Sequence, residues 1–130
     1  MIVGIGIDLC DIARVRRNLR RYGSRFMDRV LTPAERAYCE KRKDVATTFA
    51  GRFAAKEAAI KALGAPRGLR WRDMEVLPAE GAGPRLGLYR SGEQAALRLG
   101  ATRTHLSITH DGGIAAAVVV LEADDEENRK

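Results

Sequence analysis

A long regular pattern lies between residues 45 and 64, where apolar and small side chains recur at helical spacing on nearly every side. One stripe consists of Phe49, Phe53, Ile60 and Leu63. The remaining surface carries Ala54, Ala55, Ala58, Ala59 and Ala62. A helix that is apolar nearly all round is buried inside its domain. The pattern therefore predicts a long central helix, capped at its start by Asp44 and closed by Gly64.

The first ten residues alternate in a different way, with the period of two that is typical of a strand. One face carries Val3, Ile5, Ile7 and Leu9. The other face carries Gly4, Gly6 and Asp8. Glycines in a strand mark a place where a backbone or a ligand approaches closely. The N-terminus therefore predicts a strand whose glycine face lies against something, with one acid beside it.

Shorter patterns predict the remaining elements. Asp11 is a candidate N-cap for a basic helix of about twelve residues that ends near Gly23. The run Thr32-Pro33-Ala34-Glu35 is a capping box with proline at the first helical position, so another helix begins there. Further along, the patterns predict strands over 73–78 and 85–89, a short helix over 92–99, and strands over 104–110 and 114–122 around Asp111-Gly112-Gly113.

The order of these elements is strand, three helices, two strands, helix and hairpin. That order predicts an α+β fold in which a mostly antiparallel sheet packs on the long central helix. Residues 1–123 are expected to form a single domain. Residues 124–130 are expected to form a charged, disordered tail.

The chain is basic, with a net charge of +6 and a sequence pI of 9.8. The positive charge is concentrated between residues 11 and 29, a segment that contains seven arginines and only two aspartates. Such a surface attracts polyanions, whether nucleic acid, an acidic protein or a phosphate-rich ligand. No membrane partner is expected, because there is no apolar run of 18 residues and no signal-peptide pattern. Cys10 and Cys39 are expected to be reduced thiols in a cytoplasmic protein.

The acids and bases of the central helix suggest chemistry. Glu57 and Lys61 lie four residues apart and so share one helix face. Asp8 and Glu57 are candidate metal ligands, since Mg²⁺ takes one or two carboxylates together with waters and phosphate oxygens. The residues alone leave another interpretation open, in which Asp8 caps a turn and Glu57 simply pairs with Lys61 along the helix.

Two motifs, Gly6-Ile7-Asp8 and Phe53-x-x-Lys56-Glu57-x-x-x-Lys61, are accompanied by Asp11-Ile12-x-Arg14 and by His105-x-Ser107-Ile108-Thr109-His110. Together they resemble the phosphopantetheinyl transferase superfamily, and within it the short bacterial type. The resemblance implies transfer of 4′-phosphopantetheine from coenzyme A to a serine of apo-acyl carrier protein, with release of 3′,5′-ADP, in fatty-acid biosynthesis. It implies Mg²⁺ on Asp8 and Glu57, with Glu57 also the candidate general base and Lys61 acting on the leaving phosphate.

The resemblance also implies binding roles for other residues. The expected coenzyme A contacts are Arg52, Lys56, Lys61 and His110. The expected docking surface for the acidic carrier protein is Arg14, Arg17 and Arg21 on the basic helix. A homotrimer with sites between subunits is implied as well.

Simpler interpretations of these binding residues stay open. Lys56 is equally well explained as a lysine whose stem packs under aromatic side chains while its charge reaches solvent. Arg52 suits a surface or subunit contact. Each histidine, His105 or His110, suits a hydrogen-bonded structural residue.

Two functions of other classes compete with the transferase interpretation. The arginine-rich face after Asp11 fits a nucleic-acid-binding module, but the chain lacks zinc spacing, interleaved aromatic residues or a groove-reading motif, so no nucleic-acid partner is expected. A metal-dependent nucleotide hydrolase would use the same two carboxylates. Transfer to a carrier protein is the test that separates the three.

Overall fold

The computed structural model describes residues 1–78 and 81–125. The chain order is β1 (Ile2–Asp11), α1 (Ile12–Tyr22), α2 (Ser24–Val30), α3 (Pro33–Glu40), α4 (Val45–Ala62), β2 (Met74–Leu77), β3 (Arg85–Leu88), α5 (Ser91–Leu99), β4 (Arg103–Asp111) and β5 (Ile114–Glu122), with one 3₁₀ turn at Trp71–Asp73. The α+β prediction is confirmed. Residues 126–130 of the expected tail lie outside the described residues.

The strands form two antiparallel sheets. The larger sheet has the order β1-β5-β4, and the smaller one pairs β2 with β3. Helix α4 lies across the larger sheet, and its residues Phe49, Ala54 and Ala58 are fully buried. Asp44 caps α4 as expected, since its carboxylate accepts a hydrogen bond from the Thr47 amide. The predicted central helix is therefore the element against which the larger sheet, β2, α1 and α3 pack.

The glycine face of β1 allows α4 to approach closely. A Cβ at Gly4 would lie 2.2 Å from the Ala62 carbonyl oxygen, and one at Gly6 would lie 1.9 Å from the Ala58 carbonyl oxygen. Any side chain there would clash with helix backbone, so only glycine allows this contact. The sequence left open whether a backbone or a ligand approaches the glycine face of β1. The structure shows that the backbone of α4 does so.

The apolar face of β1 points away from α4. Ile5, Ile7 and Leu9 are all more than 60% exposed. Their partners across the sheet include Val118 and Val120, which are half-buried. The outer face of the larger sheet is thus a broad apolar surface, which monomeric proteins seldom leave open to water.

The basic segment contains one more helix than the sequence predicts. Helix α1 ends at Tyr22, close to the expected position, but Gly23 is followed at once by α2. Among the described residues, no helix is long and apolar enough to cross a membrane. Cys10 and Cys39 are both buried and unpaired.

Candidate active site

An ion pair between a helix and a strand forms the centre of the site. Lys61 lies near the end of α4, and its Nζ donates to the Asp8 carboxylate at 2.9 Å and to the Ile7 carbonyl at 3.0 Å. Asp8 lies within β1, not at a turn, and its carboxylate is the partner of Lys61. The alternative in which Asp8 caps a turn and Glu57 pairs with Lys61 therefore does not describe this structure.

Glu57 lies one turn before Lys61 on the same helix and is half-buried. Burial raises the pKa of its carboxyl, and the negative charge of Asp8 raises it further, while Lys61 acts in the opposite direction. A carboxylate held this way gains stability from either a proton or a cation. Glu57 is thus suited both to accept a proton and to share a metal ion with Asp8.

The two carboxylates fit a magnesium ion on chemical grounds. Mg²⁺ in phosphate-binding sites is typically held by one or two carboxylates, and waters and substrate phosphates complete the octahedron. Within residues 1–78 and 81–125, no cluster of three or more acid, histidine or cysteine side chains comes together. Asp8 and Glu57 would therefore hold the ion as a pair, with the raised pKa of Glu57 marking where positive charge is favoured.

Lys56 has a different role from the one expected. Its side chain is fully buried, and Nζ donates to Glu35 Oε1 at 2.5 Å, to the Val30 carbonyl at 2.6 Å and to the Trp71 carbonyl at 3.2 Å. Burial lowers the pKa of this ammonium group, and the Glu35 charge opposes that effect. The Lys56 charge does not reach solvent, and in this structure the side chain exposes no surface through which it could contact coenzyme A.

Glu35 is a structural residue whose second role the sequence did not reveal. Its carboxylate accepts from the Thr32 amide, which completes the predicted capping box, and also from the Val76 amide of β2. Together with Lys56 it joins α3, α4 and the smaller sheet at one buried point. The available signal was the buried position of Lys56 itself, since a buried ammonium group requires an acid partner.

Arg52 and His110 meet in a second place, a cavity of about 170 Å³ between α4 and the hairpin of β4 and β5. The Arg52 guanidinium stacks 4.3 Å from the centre of the Tyr38 ring, and the Arg42 guanidinium lies 5.0 Å from the same ring. Nε of Arg52 is buried without a hydrogen-bond partner among the described residues. Two cations and a histidine make this cavity suitable for an anion. Sequence reasoning missed Tyr38 and Arg42.

The two places lie on different sides of α4. Arg52 and Lys61 are nine residues apart, which corresponds to about 14 Å along the helix axis and about 180° around it. Asp8 and Lys61 line a shallow pocket of their own, and neither lines the cavity of Arg52 and His110. Arg52 and His110 therefore lie apart from Lys61 within one chain, and Lys56 belongs to neither place.

The expected docking residues share an exposed helix. Ile12 and Val15 bury the inner face of α1, while Arg14, Arg17 and Arg21 are all exposed. Asp11 caps the helix by accepting from the backbone amides of residues 13 and 14. The positive charge of α1 is therefore presented to solvent on a helix whose position is fixed by packing.

Comparison with known proteins agrees with this architecture. The family model described as 4′-phosphopantetheinyl transferase superfamily matches residues 4–119. A holo-[acyl-carrier-protein] synthase of Anaeromyxobacter dehalogenans is 52% identical over 125 residues, which cover 94% of this chain and 97% of the relative.

Two solved structures are also similar. The Helicobacter pylori holo-[acyl-carrier-protein] synthase in complex with coenzyme A is 32% identical, with a TM-score of 0.78 and coverage of 91% of this chain and 99% of that one. The Bacillus anthracis holo-(acyl-carrier-protein) synthase in complex with CoA (3′,5′-ADP) is 36% identical, with a TM-score of 0.77 and coverage of 95% and 99%. The chain therefore belongs to the 4′-phosphopantetheinyl transferase superfamily and, within it, to the holo-[acyl-carrier-protein] synthase family.

Proposed function

We propose that this chain transfers 4′-phosphopantetheine from coenzyme A to a serine of apo-acyl carrier protein, releasing 3′,5′-ADP in fatty-acid biosynthesis. The observation that carries the proposal is the Lys61–Asp8 ion pair beside the half-buried Glu57, in a chain of this family. A cation and two acids at one point are the groups that phosphoryl transfer requires, since the reaction depends on positioning and on neutralising charge.

Each residue of this group has a role in the reaction. The serine hydroxyl of the carrier attacks the β-phosphorus of coenzyme A, and Glu57 accepts the hydroxyl proton, because its raised pKa makes it a better base than an ordinary glutamate. Lys61 stabilises the negative charge that develops on the leaving phosphate. Mg²⁺, held by Asp8 and Glu57, would supply further positive charge at the pyrophosphate.

The cavity of Arg52 and His110 suits the anionic nucleotide end of coenzyme A, which the resemblance places near the second histidine. This cavity and the Lys61 group lie on opposite sides of α4. One coenzyme A molecule would therefore bind the Arg52 and His110 cavity of one subunit and the Lys61 group of another. The exposed Ile5, Ile7 and Leu9 provide an apolar face for such assembly. We therefore propose a homotrimer whose sites lie between subunits.

The carrier protein would dock on α1 through Arg14, Arg17 and Arg21. Exposed charges of this kind chiefly raise the rate of encounter and the specificity for an acidic partner. We place the reaction in the cytoplasm, since Cys10 and Cys39 are unpaired thiols within the core.

The test is incubation with apo-acyl carrier protein, labelled coenzyme A and Mg²⁺, followed by mass analysis of the carrier. Addition of one labelled phosphopantetheine to a carrier serine supports the transferase. Release of nucleotide without carrier modification would instead support a nucleotide hydrolase. Salt-sensitive DNA binding without any transfer would support the nucleic-acid-binding module.

A further inference from the structure

Four arginines from separate parts of the chain surround Trp71. Arg29 lies at the end of α2, Arg70 and Arg72 flank Trp71 in sequence, and Arg90 precedes α5. These residues line an open cavity of about 520 Å³. We call Arg29, Arg70, Trp71, Arg72 and Arg90 the arginine groove.

The charge of the groove is not neutralised from within. Asp73 is the acid that lines it, and its carboxylate is buried and occupied by the Ser91 hydroxyl at 2.5 Å and by Arg90 Nε at 2.7 Å. Arg72 donates to the Asp28 carbonyl. The guanidinium groups of Arg29 and Arg70 have no hydrogen-bond or ion-pair partner among the described residues. At least two exposed guanidinium groups therefore face the groove with their donors open.

The groove is connected by side-chain packing to the helix that carries Glu57. The Trp71 ring stacks on Phe53 with ring centres 5.5 Å apart. Phe53 precedes Glu57 by four residues on α4, which puts them on one helix face about one turn apart. The Phe53 ring also contacts Phe26 of α2, at 6.0 Å between centres. A row of aromatic rings thus connects α2, the groove and the catalytic face of α4.

We propose that the arginine groove binds an acidic segment of the acyl carrier protein, so that docking extends beyond α1 to the Glu57 side of the molecule. This inference rests on the proposed function. Guanidinium groups pair with carboxylates through two parallel hydrogen bonds. Coenzyme A has another anion site at Arg52 and His110, on a different part of the fold. The carrier is the remaining anionic substrate, and it has to bring its serine to Glu57, one helical turn from the Phe53 ring on which Trp71 stacks.

The variant Arg70→Glu tests the inference. Reversing one exposed charge in an ion-paired contact should raise the KM for carrier protein by about tenfold, while the KM for coenzyme A stays within about twofold. Arg70→Lys should retain most of the carrier affinity. Arg98→Glu, an equal charge change on α5 outside the groove, is the matched control and should behave as wild type.

A binding measurement follows the groove directly. Trp71 is the only tryptophan in the sequence, so its fluorescence reports on the groove. Titration with an apo-carrier that lacks tryptophan should change the emission of wild type and of Arg98→Glu, and Arg70→Glu should need about tenfold more carrier for the same change.

Three outcomes would overturn the inference. They are an unchanged carrier KM in Arg70→Glu, a raised coenzyme A KM instead, and a Trp71 signal that responds to a single-stranded oligonucleotide and not to the carrier. Failure of the wild type to modify the carrier would count against the proposed function. In that case the fluorescence titration still decides whether the carrier occupies the groove.

Discussion

The ammonium group of Lys56 lies 2.5 Å from the carboxylate of Glu35, and both side chains are fully buried. The pair joins α4 to the start of α3, and its remaining hydrogen bonds reach Val30, Thr32, Trp71 and Val76. Removing one partner of a buried pair leaves an uncompensated charge, whereas the intact pair stabilises a specific packing arrangement.

Lys56→Met should therefore destabilise the fold by about 3–5 kcal/mol, as measured by denaturant unfolding. The double variant Lys56→Met/Glu35→Leu should lose less than the sum of the two single changes, because no charge is left buried. A loss below about 1 kcal/mol in Lys56→Met would show that this pair does not hold the core together.

Lys61 is expected to act on phosphate. Loss of an exposed ion pair such as Lys61–Asp8 costs only about 0.2–1 kcal/mol of unfolding free energy, whereas loss of a positioned electrostatic contact costs about 2.7–4 kcal/mol of activation free energy. Lys61→Ala should thus lower the transfer rate by roughly two to three orders of magnitude, with little change in unfolding free energy. The comparison with Lys61→Arg, which keeps the charge, isolates the electrostatic part. A rate loss of only a few-fold would restrict Lys61 to a structural role.

Glu57 should titrate above its ordinary value of 4.5, because burial and Asp8 both disfavour its charged form. Carbon-detected NMR of the side-chain carboxyl would measure this pKa, and Asp8→Asn should lower it. Because folding raises the pKa of Glu57, its ionised form lowers the free energy of unfolding at any pH above the raised pKa. Below pH 4.5 the carboxyl is protonated in both the folded and the unfolded chain, so this destabilisation is absent. Glu57→Gln should therefore gain stability at neutral pH but not below pH 4.5. A Glu57 pKa at or below 4.5 would remove the physical basis for its role as a base.

The docking role of α1 should be visible in the salt dependence of transfer. Arg14→Glu/Arg21→Glu should raise the KM for carrier steeply and flatten its dependence on salt, because exposed charges are screened within about 8 Å at physiological ionic strength. Arg85→Glu/Arg98→Glu reverses the same number of exposed charges on β3 and α5, away from α1, and serves as the control. If the first pair instead weakens coenzyme A binding and leaves the carrier KM unchanged, then α1 belongs to the nucleotide site.

Local patterns were sufficient for most of the fold. The alternation in β1, the capping box at Thr32 and the helical period of residues 45–62 depend on nearby residues, so the sequence reveals them. Helix α2 was missed because it is seven residues long and no side chain caps its start. Which face of β1 is covered depends on how α4 lies across it, and strand alternation alone does not contain that information.

The candidate site was predictable only in part. The resemblance selected Asp8, Glu57 and Lys61, and the structure places the Lys61 ammonium on Asp8. Lys56 was misassigned because its partner, Glu35, lies 21 residues away in sequence and meets it only in the folded chain. The arginine groove draws on three separate segments, so no single stretch of sequence reveals it.

The most direct test of the central claim compares wild type with Asp8→Ala in the Mg²⁺-containing transfer assay, with mass analysis of the carrier serine. Asp8 binds the Lys61 ammonium group, and its negative charge raises the pKa of Glu57. Replacing this one half-buried side chain of β1 therefore alters the environment of both Lys61 and Glu57. The account predicts that wild type modifies the carrier and that Asp8→Ala, although folded, does not do so measurably. Modification by Asp8→Ala at a near wild-type rate, or no modification by wild type, would contradict it.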